Sequence, residues 1–386
     1  MSILRLLPAV LAVGSLSVAA AYALLAVVAA VIWRLPRRPL RLAAPPPVTI
    51  LKPLCGAEPG LYANLRSFCQ QDYPKFQVVF GIADETDPAC AVARRLRAEF
   101  PALAIDVVID PRLHGSNGKI SNLINMLPAA RHDLLVISDS DCTVGPDYLD
   151  RVTGPLQASS VGLVTCLYRG MPAGSIWSRI GAMYINEWYV PQVLLAWLFG
   201  HEGYVSGQTI ALRRATLTSI GGFEALADHL AEDHQMGLRV RALGLCIVLS
   251  PYLVLGDFHE QDLHAVTRHE LRWMRTLRTL APRSMHWIFV TFSLPLALVG
   301  MAVAATRPPI WTLAWILFLL TVAARLTVHL IHRWHRDRSL LTDLWLVPAR
   351  DLLLCWVWWR SLFGSSISWR GNEFVVNPDG TMRRIS

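Results

Sequence analysis

The chain has 386 residues, 53% of them hydrophobic and only 17% charged, with a formal net charge of +8. That is too apolar for an ordinary soluble protein. Much of the positive charge lies in RLPRRPLR and HRWHRDR, which flank apolar stretches, so attraction to anionic lipid headgroups explains it better than nucleic acid does. Seven cysteines form no CxxC pair and no regular spacing, which argues for buried thiols rather than disulfides or a metal site.

In chain order, residues 8–33 carry no charge until Arg34. The run is long enough to cross a bilayer core of roughly 30 Å and exceeds the about 7–15 residues of a cleaved signal, so it reads as a retained anchor. Arg34, Arg37, Arg38 and Arg41 follow it, with only Arg5 before it, which places the next domain on the cytoplasmic side. AAPPPV, 43–48, is a stiff linker.

Strand-like and helix-like runs then alternate. VTILKP, FQVVFGIAD, AIDVVID, DLLVISD and VGLVTCLY read as strands, separated by helices at 58–70, 88–99, 120–127 and 146–157. Such alternation predicts an α/β fold with a mostly parallel sheet. Further on, SGQTIALRR (206–214) reads as a strand, 230–244 as a helix closed by Gly244, and CIVLSPYLVL as a strand. TRHELRWMRTLRTL, 267–280, is a basic amphipathic helix expected to lie in the membrane interface. Apolar runs follow at 286–305, 309–331 and 343–364. The predicted organisation is an anchor and basic linker over 1–44, a catalytic domain over 45–265, the interfacial helix over 266–285, and membrane segments with a tail over 286–386.

Ligands of open α/β sheets gather at the carboxyl ends of the strands, where three polar clusters fall. Asp139 and Asp141 form an Asp-x-Asp pair after LLVIS, oxygen donors suited to Mg2+ or Mn2+ carrying a phosphorylated substrate. The plainer reading is an Asx turn. In ADETDPA, Asp87 before Pro88 reads as a helix cap, whereas Asp84 sits nearer the strand end and suits a nucleotide base or ribose. Lys119 follows the turn HGSNG and would neutralise a diphosphate, or else is a solvated surface lysine. Glu232 and Asp233 open a helix, either as partners of its dipole or with a carboxylate as general base. Arg272 would grip phosphate and Trp273 stack on a sugar or lipid, against a snorkelling Arg and an interface Trp. Twelve histidines offer no HExxH, and His114, His201 and His259 read as structural. Arg350 and Asp351 interrupt the last apolar run, so they face protein or a cavity, or 343–364 re-enters rather than spans.

Taken together, ILKPLCG, QDYPKFQV, IADETDPA, GSNGKISNL, ISDSD, LAEDHQM, HELRW and SISWRG resemble, in that order, the ceramide glucosyltransferase family, over about residues 48 to 375. The resemblance implies a GT-A, Rossmann-like catalytic domain between N-terminal and C-terminal transmembrane helices. It carries the family's aspartate sites onto Asp84, Asp139 with Asp141, and Asp233, the presumed base, and its (Gln/Arg)-x-x-Arg-Trp motif onto Arg272 and Trp273. The first position of that motif is here His269. Wording such as QQDYPKFQVVFG and RHELRWMRT is similar to a bacterial branch associated with hopanoid biosynthesis. That implies transfer of N-acetylglucosamine from UDP-GlcNAc to bacteriohopanetetrol at the bacterial inner membrane.

The reading is therefore a metal-dependent, inverting UDP-sugar:lipid glycosyltransferase. Asp139 and Asp141 would hold Mg2+ or Mn2+, Asp84 and Lys119 the donor, and Asp233, Arg272 and Trp273 the reaction. Ceramide glucosylation from UDP-glucose is the alternative, and a catalytically inactive membrane scaffold the rival of another class. One anchor and three later spans would leave the C-terminus outside. The basic tail with Arg370, Arg383 and Arg384 favours inside, which a re-entrant 343–364 would reconcile.

Overall fold

The computed structural model describes residues 3–34, 44–201, 203–333, 343–364, 366–369, 372–377 and 379–385. Arg37, Arg38, Arg41 and most of HRWHRDR, read above as charge drawn to lipid headgroups, and Arg370 of the basic tail lie outside the described residues. The chain divides into two compact units, one of Met1–Pro36, Ile176–Gly200 and Glu260–Ile367, the other of Arg37–Ser175, His201–His259 and Ser368–Ser386.

The second unit is built on an eight-stranded sheet. Its strands are β1 (Val48–Pro53), β2 (Phe76–Ile82), β3 (Ala104–Ile109), β4 (Leu134–Ile137), β5 (Cys142–Thr143), β6 (Val161–Pro172), β7 (Ile210–Arg213) and β8 (Cys246–Phe258), in the order β3-β2-β1-β4-β7-β6-β8-β5. The pairs β3–β2, β2–β1, β1–β4 and β6–β8 are parallel. The short β7 runs antiparallel to both its neighbours, β4 and β6. Parallel strands covered on both faces read as continuous apolar runs, and β1 and β4 are buried along their whole length. β8 carries Pro251, which cannot donate to a ladder; the register slips there, between Ser250 and Leu253, as a bulge.

Several local readings shift. The helix expected over 120–127 runs instead over Gly118–Met126, so Lys119 lies in its first turn. Asn117 is that helix's cap, its side chain accepting from the N–H groups of Lys119 and Ile120. The expected helix 146–157 tightens after Thr153 into a 3-10 turn at Gly154 and Pro155. Asp87 does cap its helix, accepting from Ala89 N–H at 2.8 Å, and also holds Gly56 N–H at 2.8 Å.

The first unit is helical. Ile3–Arg34 and Trp311–Arg333 are its longest helices, and the stretches Leu6–Trp33 and Pro308–His332 are each long and apolar enough to cross a membrane. Pro282–Thr291 and Ser293–Ala304 pass the same test only as a pair bent by 65°. Ile3–Arg34 packs mostly through small residues, with Ala12 and Ala19 beside the larger Leu16 against Ala297, Ala304 and Ala314. Such stripes let apolar helices approach closely without a hydrophobic drive. A Cβ on Gly300 would lie 2.7 Å from Leu16.

The last apolar run forms the helix Leu346–Ser361. At 1.5 Å per residue, its 16 residues reach only about 24 Å. The two charges that interrupt the run face protein: Arg350 grips the Glu270 carboxylate with both terminal nitrogens, and Asp351 accepts from Arg325. The helix Leu263–Leu280 is amphipathic as expected, with Asp262 as its cap. Its arginines are not all turned to headgroups. Arg275 and Arg278 donate to the carbonyls of Phe363, Ser366, Ser361 and Gly364, just past or at the end of Leu346–Ser361. The last carbonyls of a helix have no partner within it and carry its negative end, so two guanidinium groups satisfy them.

The segment Ile176–Leu198 is read from sequence as part of a catalytic domain running unbroken over 45–265. Its helices instead group with the apolar ones of the first unit. The end of the chain forms a small sheet of β9 (Ser366–Trp369), β10 (Asn372–Val376) and β11 (Met382–Arg384).

Candidate functional site

The site of the second unit is assembled at the carboxyl end of β4, where the buried strand Leu134–Ile137 stops and Ser138-Asp139-Ser140-Asp141 turns away. Lys119, from the start of its helix, lies 2.6 Å from the Asp139 carboxylate and 2.8 Å from that of Glu232. Burial alone would lower the Lys119 ammonium, but the two carboxylates outweigh it and hold the group above its usual range. Asp233, next to Glu232 on the helix Glu232–Ala242, accepts from Gly207 N–H at 3.1 Å and from His234 N–H at 2.7 Å. Gly207 sits over the cluster: a Cβ there would lie 2.9 Å from the Lys119 nitrogen and 3.0 Å from Asp139. Asp139, Lys119, Glu232 and Asp233, more than 110 positions apart at the extremes by roughly that count of residues, thus meet at one place.

Two carboxyls here depart from the ordinary range. Asp233 is pushed up to about 7, first by desolvation and then by the charge of Glu232, against the pull of Lys119. Asp141 is also raised, by burial and by its neighbour Asp139. A half-buried carboxyl near neutrality is suited to accept a proton, and so to act as a general base.

Asp139 and Asp141 fit a hard divalent cation. They are oxygen donors whose mutual repulsion such an ion would relieve. Among the described residues no three His, Cys, Asp or Glu side chains form a ready cation cage. Two carboxylates leave the remaining positions to phosphate and water, as Mg2+ prefers.

Asp84 lies at the same sheet edge, beyond the end of β2 and two strands from β4, or roughly 10 Å across at the usual strand spacing. Its carboxylate accepts from the Thr86 N–H and hydroxyl, both at 2.8 Å, and these bonds hold its pKa below the usual range. Arg272 and Trp273 lie on the helix Leu263–Leu280 of the first unit. There the Trp273 ring stacks on Tyr184 with centroids 5.3 Å apart and lies tilted against the His269 ring at 3.9 Å, and His269 Nδ1 is 2.9 Å from the Glu260 carboxylate. His114 is structural, bonded to Asn125 at 2.7 Å. His259 lies 3.9 Å from Asp257, whose N–H donates to the Asp141 carbonyl.

Three features of the site were not read from the sequence. Lys52 is fully buried on β1, over the Phe68 ring at 3.7 Å, and donates to the carbonyl of Asp139 and to Ser138. Desolvation lowers its pKa to about 8. A lysine in the apolar run VTILKP was itself the signal. Glu232 is the second anchor of Lys119. The C-terminal tail holds the turn before Lys119 in place. Ser116 donates its N–H to Asp228 at 2.8 Å and its hydroxyl to the Met382 carbonyl at 2.8 Å. Met382 N–H returns to the Asp228 carbonyl, and Leu230 N–H to that of Gly380.

A family model described as glycosyl transferase family 21 matches residues 11–382. The chain belongs to glycosyl transferase family 21. It is similar to ceramide glucosyltransferase 1 of Caenorhabditis elegans, 27% identical over 248 residues, 62% of this chain and 52% of that protein. It thus spans about half the length of that relative. With ceramide glucosyltransferase 3 of the same organism it is 23% identical over 345 residues, 85% of this chain and 72% of the relative. Among solved structures, a mannosyltransferase from Pyrobaculum calidifontis, in complex with GDP-Man and Mn2+, superposes with a TM-score of 0.53 at 19% identity, over 85% of this chain and 99% of that one. That likeness bears on the fold, and the family 21 chain has the expected α/β, GT-A-type architecture with apolar helices near both ends.

Proposed function

We propose that this family 21 chain transfers a sugar from a UDP-sugar to a hydroxyl of a membrane lipid, with inversion at the anomeric carbon. One observation carries the reading: the Asp233 carboxyl, pushed up to about 7 by burial and by the Glu232 charge, stands beside the Lys119 bridge at the strand end that bears the Asp-x-Asp pair. Asp233 accepts the proton of the lipid hydroxyl as its oxygen attacks. Lys119 faces the donor diphosphate, and Asp84 positions the nucleotide. Asp139 and Asp141 would hold Mg2+ or Mn2+, which supplies charge stabilisation to the departing UDP. Lys52 fixes the backbone of that turn from below. Arg272 grips phosphate and Trp273 stacks on sugar or lipid.

Ceramide is the better supported acceptor, with UDP-glucose as donor, because the named relatives are ceramide glucosyltransferases. Bacteriohopanetetrol with UDP-GlcNAc remains the second reading, on the wording of QQDYPKFQVVFG and RHELRWMRT. The apolar helices support a membrane-held enzyme. The arginines following the anchor support a catalytic unit on the cytoplasmic face of a bacterial inner membrane.

The test is transfer by membranes of an expressing strain, supplied with radiolabelled UDP-glucose or UDP-GlcNAc and with ceramide or bacteriohopanetetrol. The expected product is glucosylceramide, formed with added Mn2+ and lost on chelation. Label in the hopanoid alone would select the second reading. Absence of any labelled lipid would favour an inactive scaffold.

A further inference from the structure

Asp351, one of the two charges that interrupt the last apolar run, lines a cavity inside the first unit. Arg325 lies between two acids there: its Nη1 donates to Glu187 at 2.8 Å and its Nη2 to Asp351 at 2.8 Å. His329 Nδ1 is 2.6 Å from the other Glu187 oxygen. All four residues are at most 7% exposed. Ionisable groups buried among apolar helices are expensive, and they are retained where they bind or move something.

Two polar atoms of this cluster have no partner. The Tyr22 hydroxyl, which faces the same cavity, and His329 Nε2 are both buried and make no hydrogen bond. A purely structural ion cluster would be expected to satisfy such atoms, since a buried polar group left unpaired loses its hydration with nothing in return. The cavity has a volume of about 20 Å³, room for about one water-sized group, and Phe292 and Val328 form part of its apolar wall.

The geometry points to a socket for one hydroxyl group of a membrane lipid. We propose that Tyr22, Glu187, Arg325 and Asp351 hold a neutral, hydroxyl-bearing lipid by its polar head. Two carboxylates face one guanidinium, so a phosphate would meet repulsion, whereas a hydroxyl both donates to a carboxylate and accepts from Tyr22. Tyr22 and Arg325 lie on two helices, Ile3–Arg34 and Trp311–Arg333, that contain stretches long and apolar enough to cross a membrane, a position that favours a bilayer lipid as the occupant. This socket rests on the lipid-acceptor reading above and names the part of the lipid that is recognised.

Tyr22→Phe removes only the orphaned hydroxyl. In the full-length enzyme in phosphatidylcholine vesicles carrying ceramide, it is expected to raise the half-saturating ceramide concentration about 3- to 10-fold, the worth of one hydrogen bond. KM for the UDP-sugar and acceptor-independent hydrolysis of the donor should stay at wild-type values. Without any donor, a photoactivatable ceramide should label wild type more than Tyr22→Phe, and a ceramide with its hydroxyls methylated should not compete. Unchanged ceramide dependence and labelling would overturn the socket, as would a parallel fall in donor hydrolysis, which marks a structural role. Labelling needs no turnover, so an enzyme that binds ceramide in this way yet glycosylates no lipid would refute the proposed function and leave the socket standing.

Discussion

Asp233→Asn is expected to lower the rate of transfer by roughly 10²–10⁴-fold while UDP-sugar binding survives. The substitution keeps the shape of the side chain and an oxygen to accept from Gly207 N–H, so the loop it holds should stay in place. What is lost is the proposed proton acceptor. Desolvation and the adjacent Glu232 charge place the Asp233 carboxyl at about 7. Below that value the group is protonated and cannot take a proton; above it the base form dominates. kcat/KM should therefore rise with pH through about 7 in wild type, and this limb should vanish in the variant. A pH–rate profile, with fluorescence-monitored UDP binding alongside, checks both parts. A variant with wild-type turnover would remove Asp233 from the role of base.

Lys119→Met should act on stability and on the same pH limb. Lys119 is the cation shared by Asp139 and Glu232, with side-chain exposures of 16%, 28% and 10% respectively. Removing one partner of a buried pair leaves uncompensated charge and costs about 3–5 kcal/mol. The value here belongs near the lower end because Asp139 retains contact with water. Lys119 also pulls the Asp233 carboxyl downward, so its loss should carry the acid limb to higher pH. The sign is definite: a cation favours the charged form of a nearby acid, and removing it favours the neutral form. KM for the UDP-sugar should rise as well, since the ammonium proposed to face the diphosphate is gone. Urea unfolding together with the pH profile separates these effects. An unmoved limb would mean that Lys119 and Asp233 do not share one electrostatic site.

The parallel half of the sheet was legible because β1 to β4 are short apolar runs ended by polar turns, a pattern set by local burial. Asp139 and Asp141 were legible for the same reason, as carboxylates where a buried strand stops. Asp87 as a helix cap and Asp351 as a charge facing protein or a cavity also followed from local chemistry. What escaped depends on partners distant in sequence. β5 has only two residues, and β8 alone gives it a place in the sheet. The amide of Gly207 meets Asp233 only through tertiary folding, and no local pattern marks that contact. Lys52 looked like part of a strand, although its neutral surroundings on an interior strand should have marked it. The tail was legible as a sequence resemblance, but not its bonds to Ser116 and Asp228. Ile176–Leu198 follows β6 without a break in composition, and its Glu187 gave no hint of Arg325 and His329 as partners. The arginines of Leu263–Leu280 matched an interfacial pattern, yet two of them serve the carbonyls near the end of another helix, a demand invisible until that helix is placed.

The most direct measurement is the anomeric configuration of the sugar in the lipid product, read by proton NMR after transfer from an α-linked UDP-sugar. A single displacement, with Asp233 taking the proton of the attacking hydroxyl on the face opposite the departing UDP, yields a β-linked glycolipid. An α-linked product would require retention of configuration and would contradict the assignment of Asp233 as the base in a one-step transfer.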